Sequence, residues 1–160
     1  MVEIKELSLS IGDFLNLSTE QLAGNFLMKF SDGSFENQFM TFMALEGAWD
    51  MVSEEVCPNL TMSEALIYDN EEYAQNLFDE TDRSLALVSD SVSEAIKEKD
   101  LKQLQSLVML KMALSFLHVL CGSVIGHKWE MFGGKFVEES AHLIAEFEVT
   151  FPEMQKKMEM

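Results

Sequence analysis

Glu139-Ser140-Ala141-His142 is the stretch of this chain closest to a metal-ligand signature, because positions i and i+3 place a carboxylate and an imidazole on one helical face. Di-iron carboxylate bundles need that pair on two helices and a glutamate from each of two others. This sequence supplies one such pair, and Glu46, set inside an apolar stretch, is the further candidate. The plainer reading is a solvated glutamate beside a rim histidine. His118 stands among Leu114, Phe116, Leu117, Val119 and Leu120. An imidazole there can ligate haem, take up a proton, or bond a backbone carbonyl or a carboxylate such as Glu46. His127 reads as a solvent-facing residue at a helix end. The three histidines share no short spacing, so a zinc site is not indicated. Glu139, His142 and His118 thus carry an alternative reading as a metal- or haem-binding bundle, while the main expectation is no cofactor.

Nucleophilic chemistry has less support. Cys121 lies in an apolar run, where burial raises a thiol pKa, and Cys57 follows Glu54 and Glu55, whose charge disfavours a thiolate. The glycine pairs fit neither a phosphate loop nor a dinucleotide fingerprint. Asp79-Glu80-Thr81-Asp82 lacks the outer acidic pair, at the right spacing, that the all-helical nucleotide pyrophosphohydrolases use. The expectation is a protein without catalytic activity.

Binding chemistry is better represented. The chain has twelve methionines and twelve phenylalanines, and methionine suits surfaces that accept varied apolar helices. Phe35, Phe39, Met40, Phe42 and Met43 read as the lining of a groove for an amphipathic partner helix, or else as core. Acids on a neighbouring helix, Glu71, Asp79 and Asp82 foremost, would steer a basic segment toward it.

The charge supports that direction. Residues 1–100 hold 21 Asp/Glu against five Lys/Arg, a net of −16, and residues 101–160 hold seven against six, a net of −1, together −17. Arg83 is the single arginine. Direct nucleic-acid binding is disfavoured, since counterion release needs cationic side chains. An acidic mimic that blocks a DNA- or RNA-binding protein is the alternative to a groove.

Helices must position these residues. Two prolines and eight glycines leave long uninterrupted segments, and no strand alternation of convincing length appears. Ser18-Thr19-Glu20-Gln21 is a capping box opening a short helix with Leu22, Phe26 and Phe30, and Ser34 caps the next, about 35–56. There Phe35, Phe39, Phe42, Leu45, Trp49 and Val52 recur at helical spacing, while Met40, Met43 and Met51 widen the stripe toward a second face. Cys57-Pro58 ends it. Thr61-Met62-Ser63-Glu64 caps another short helix. Asp69-Asn70-Glu71-Glu72 starts a long one to about Glu98, with Tyr73, Leu77, Leu85, Val88, Val92 and Ile96 inward and Asp79, Asp82, Asp90 and Glu94 opposite. Asp100 caps the most apolar segment, about 101–121, with Gly122 as its expected C′ residue. Residues 126–135 read as a loop or partial helix, and a last helix, about 135–150, stops before Pro152.

The apolar segment from Leu107 to Ile125 approaches the roughly 20 residues that span a bilayer, but Lys111, Ser115, His118 and Ser123 interrupt it. A mid-span lysine costs about 2.5–3.5 kcal/mol, so a buried core helix is expected rather than a membrane span. The N-terminal residues carry acids where a secretory signal has positive charge, and the expected localisation is cytoplasmic. The reading is one all-α domain over 1–160, five to six helices around the 101–121 helix, with 1–16 and 153–160 as flexible termini. Its expected role is a non-catalytic regulator, inhibitor or adaptor that binds a basic or amphipathic segment of another protein, with self-association also open.

Overall fold

The computed structural model describes residues 17–31, 34–67, 71–125 and 136–159. Among them are six helices: α1 (Thr19–Phe30), α2 (Phe35–Val56), α3 (Met62–Ile67), α4 (Glu71–Glu98), α5 (Leu101–Val124) and α6 (Phe136–Glu159). No strand occurs among the described residues. The fold is an all-α bundle with α5 at its centre, in contact with every other helix.

Local chemistry sets most helix starts. Ser18 and Gln21 form the reciprocal capping box of α1, at 3.2 Å and 2.8 Å. Ser34 accepts from the Asn37 N–H, Thr61 and Glu64 cap α3 reciprocally, and Asp100 accepts from the Gln103 N–H. Each bond satisfies an N–H that the first helical turn leaves without a partner. Between α4 and α5 the chain reverses at Lys99, whose φ of 57° lies in the left-handed region. The Asp100 N–H bonds the Ala95 carbonyl and the Lys99 N–H that of Ile96, a Schellman closure with lysine where glycine is usual. The start of α4 expected at Asp69-Asn70 lies outside the described residues, as do 1–16 and 126–135.

Two helix ends differ from their sequence expectation. Gly122 does not end α5; the helix runs to Val124, and Gly122 is buried within it. Packing around the Met112–Gly122 run outweighs the roughly 1 kcal/mol by which glycine weakens a helix interior. Nor does α6 stop before Pro152: it continues to Glu159, so residues 153–159 are helical rather than a loose tail. The proline removes one backbone bond, at a cost of about 3 kcal/mol. The neighbouring Phe151 offsets this, with its ring centroid 4.9 Å from that of Phe42 and 5.7 Å from that of Phe39.

The core has two textures. Where α1, α2 and α6 meet α5, it is aromatic: Phe26, Phe30, Phe42, Phe116 and Phe147 lie within a chain of ring contacts of 4.7 to 6.4 Å. Such pairs add about 0.5–1.5 kcal/mol each beyond area burial. The α4–α5 seam is lined by smaller residues. Ala74, Leu77, Thr81, Ser84, Val88, Val92 and Ala95 form its buried line, while Tyr73, Leu85 and Ile96, expected inward, are half-buried at its margins. Small side chains at steps of three and four let two long helices approach closely. Among the described residues α5 is the one helix long and apolar enough to cross a membrane, and 61% of its most apolar window is buried by the bundle.

Candidate partner-binding face and acidic cavity

Helix α2 has two apolar sides. Phe39 and Phe42 point inward, 5% and 0% exposed, with Leu45, Trp49 and Val52. Met40, Met43 and Met51 point to solvent, 55%, 46% and 41% exposed. The expected groove therefore divides: Phe39 and Phe42 are core, Met40 and Met43 are surface, and the structure does not bring the two pairs together. The side chain of Phe35 lies outside the described part. Gly47 lies on the methionine side, and a Cβ built on it would meet nothing within 4 Å. Glu36, Asp50 and Glu54 are exposed along the same side. The outer face of α2 is thus a shallow methionine strip, bare of side chain at its centre and edged by acids.

Asp79 and Asp82 are exposed on α4, together with Asp90 and Glu94. Asp79 accepts from the Gln75 side-chain amide at 3.2 Å, and Arg83 pairs with Glu80. The side chain of Glu71 lies outside the described part.

A feature the sequence did not announce sits where α2, α3 and α6 converge. A surface cavity of about 370 Å³ has Phe42, Trp49 and Phe151 in its walls, Glu46 and Asp50 on one side, and Glu148 opposite. Burial, and then the like charges of Asp50 and Glu148, push the Glu46 carboxyl above its ordinary range. Ser53 also lines the cavity, 6% exposed.

The histidines do not converge. His118 is 7% exposed and belongs to the α4–α5 seam, not to Glu46. Its Nδ1 lies 2.9 Å from the Thr81 hydroxyl, and its ring stacks on Phe78 with centroids 4.0 Å apart. Thr81 donates its proton to the Phe78 carbonyl at 2.8 Å. With that proton engaged, the Thr81 oxygen is placed to accept from Nδ1–H. This is a structural arrangement: it satisfies a buried imidazole with a hydroxyl from the facing helix. His142 is exposed, His127 lies outside the described residues, and so does the Glu139 side chain. Among the described residues no group of three His, Cys, Asp or Glu is placed to hold a metal ion.

Both thiols are buried. Burial, reinforced by Cys57, pushes the Cys121 thiol up to about 12, and burial likewise raises Cys57. Neither sulfur is a thiolate at neutral pH.

Sequence reasoning missed Thr81 and the cavity. Thr81 had a signal, since it stands at helical spacing from Ala74, Leu77, Ser84 and Val88. The cavity had none, because it closes against Glu148, Phe151 and Pro152, where local rules end the helix. No protein-family model, curated protein or solved structure matches this chain.

Proposed function

We propose that this chain is a non-catalytic protein-binding module whose outer α2 face receives a basic, amphipathic segment of a partner protein. The observation that carries the reading is the exposed strip Met40, Met43, Met51 around Gly47. Methionine side chains adapt to varied apolar surfaces, and a glycine between them lets a partner backbone come close. Glu36, Asp50 and Glu54 along the strip, within a net charge of −17, select a positively charged occupant and speed its encounter.

Selection from a displayed peptide library tests this. The expected winners carry apolar residues at i, i+3 or i+4, and i+7 with lysine or arginine between them, and Met40→Glu with Met43→Glu weakens their binding at least about tenfold, or 1.4 kcal/mol. Winners without basic residues, or binding indifferent to both substitutions, would remove the proposal.

A second reading, an acidic mimic that occupies a nucleic-acid-binding protein, draws on Asp79, Asp82, Asp90 and Glu94, which lie exposed on one side of α4. Its partner binding would fall steeply with added salt and disappear in Asp79→Lys with Asp82→Lys. An α2-face complex, held mainly by its apolar contacts, would lose much less to salt and would keep its binding in the double variant.

A further inference from the structure

We propose that the exposed methionines of α2 form a site of reversible oxidation, at which a hydroperoxide converts the thioethers of Met40, Met43 and Met51 to sulfoxides and turns the apolar face polar. The release of a partner that follows rests on the binding-module reading; the oxidation site itself does not. The distribution of methionine points to this chemistry. Among the described residues six large hydrophobic side chains are exposed, and four of them are methionines: Met28, Met40, Met43 and Met51, beside Leu87 and Val149. On α2 every exposed large hydrophobic is methionine, whereas the inward side of the same helix uses Phe39, Phe42, Leu45, Trp49 and Val52. Leucine or valine would serve apolar contact as well, so sulfur is what the outer side adds.

The thiols do not compete for the oxidant. A cysteine reacts with peroxide as its thiolate, and Cys57 and Cys121 are both buried, with burial holding each protonated at neutral pH. A thioether has no proton to lose, so exposure rather than ionisation decides its rate. Met62 and Met112 are shielded in the core. Charge narrows the class of oxidant. A net of −17, with Glu36, Asp50 and Glu54 along the strip, repels anionic oxidants and leaves neutral hydrogen peroxide unhindered.

The step is an oxygen transfer. The sulfur lone pair attacks one peroxide oxygen, and the O–O bond breaks as the S–O bond forms. The second oxygen takes up the proton of the first and leaves as water. The thioether is thereby oxidised to a sulfoxide and the peroxide reduced. Each sulfoxide puts a hydrogen-bond acceptor where an apolar residue of a partner would sit, and burying that oxygen unpaired is unfavourable. Met40, Met43 and Met51 stand at i, i+3 and i+11, one stripe of the helix. Their oxidation therefore changes the outer face as a whole and leaves the packed side of α2 untouched.

The test treats the full chain with hydrogen peroxide at neutral pH and follows each methionine by peptide mass spectrometry. Met40, Met43 and Met51 should gain oxygen at least about tenfold faster than Met62 and Met112. Retention of the oxidised protein on a phenyl resin should fall while its thermal unfolding stays unchanged, and methionine sulfoxide reductases A and B should restore the retention. Met40→Leu, Met43→Leu and Met51→Leu together keep the face apolar without sulfur and should abolish most of the retention change; Met28→Leu, on α1, should not. Strip methionines no faster than the buried pair, an equal retention change in the triple variant, or unfolding on oxidation would overturn the proposal. Peptides from the library selection should bind the oxidised chain at least about tenfold more weakly and bind the triple leucine variant with or without peroxide. If no peptide is selected, the binding-module reading falls, while mapping and retention still decide the oxidation site. If peptides bind a fully oxidised strip as tightly as a reduced one, the release falls and the module reading stands.

Discussion

Along α2, the side turned to α5 and α6 carries Phe39, Phe42, Leu45, Trp49 and Val52, each no more than 6% exposed, and the side turned to solvent carries Met40, Met43 and Met51 around a bare Gly47. By hydropathy the two sides are close, and a helix apolar on both suggests burial between neighbours. Among the described residues, only one side has neighbours. What separates the sides is side-chain character. Rigid rings fill a close-packed interior at low entropic cost, whereas flexible thioethers remain serviceable on a surface whose contact is made later and with varied partners.

The comparison breaks most sharply under truncation. Phe42→Ala removes a ring in contact with Phe30, Phe147 and Phe151, and should cost about 3–5 kcal/mol in urea unfolding. Met43→Ala, one position along the same helix, should change stability by about 0.5 kcal/mol or less while weakening partner binding. Comparable losses at both positions would mean that the methionine strip is covered in solution, by a second copy or by the segments outside the described residues.

Helix α4 repeats the contrast with polar groups. Thr81 faces inward and holds His118, while Asp79 and Asp82 flank it in solvent. Thr81→Val keeps the shape and removes the oxygen that Nδ1–H reaches. The expected cost is about 1–2 kcal/mol, together with a changed His118 ring signal in the NMR spectrum. A neutral outcome would show that His118 repacks without this bond.

These contrasts mark how far the sequence was legible. The caps at Ser18, Ser34, Thr61 and Asp100 were readable because the bonds that make them span three residues. The all-α bundle and its central helix were readable because α5 has no polar face to offer water. Which side of α2 turns inward was not, because the answer depends on Phe147 and Phe151 of a helix that runs through Pro152 against local preference. The buried line of α4 was read only in part: Leu77, Val88 and Val92 are buried as expected, while Tyr73, Leu85 and Ile96 sit at its margins. Large residues at 73, 85 and 96 outweighed Ala74, Thr81, Ser84 and Ala95, although close helix packing favours the small ones. The acidic cavity is a product of both effects: it exists only where the outer flank of α2 meets the extension of α6.

Glu46 stands on the border between the two sides of α2 and gives the smallest and most specific test. In the fold its carboxyl is pushed up by burial, by Asp50 and by Glu148; in the unfolded chain it returns to its ordinary value near 4.5. The folded state therefore binds more protons between those two values, and its stability falls as pH rises through that window. Glu46→Gln removes the ionised form. It should raise stability at pH 7 by at most about 1 kcal/mol, since half-exposed charges are screened by water, and the gain should shrink and vanish as pH drops below 4.5. Paired thermal melts of the two proteins at pH 7 and pH 4 read the difference directly. A gain that persists at pH 4 would place its origin in packing rather than charge. A loss at pH 7 would mean that the carboxylate already has a cation in the free protein.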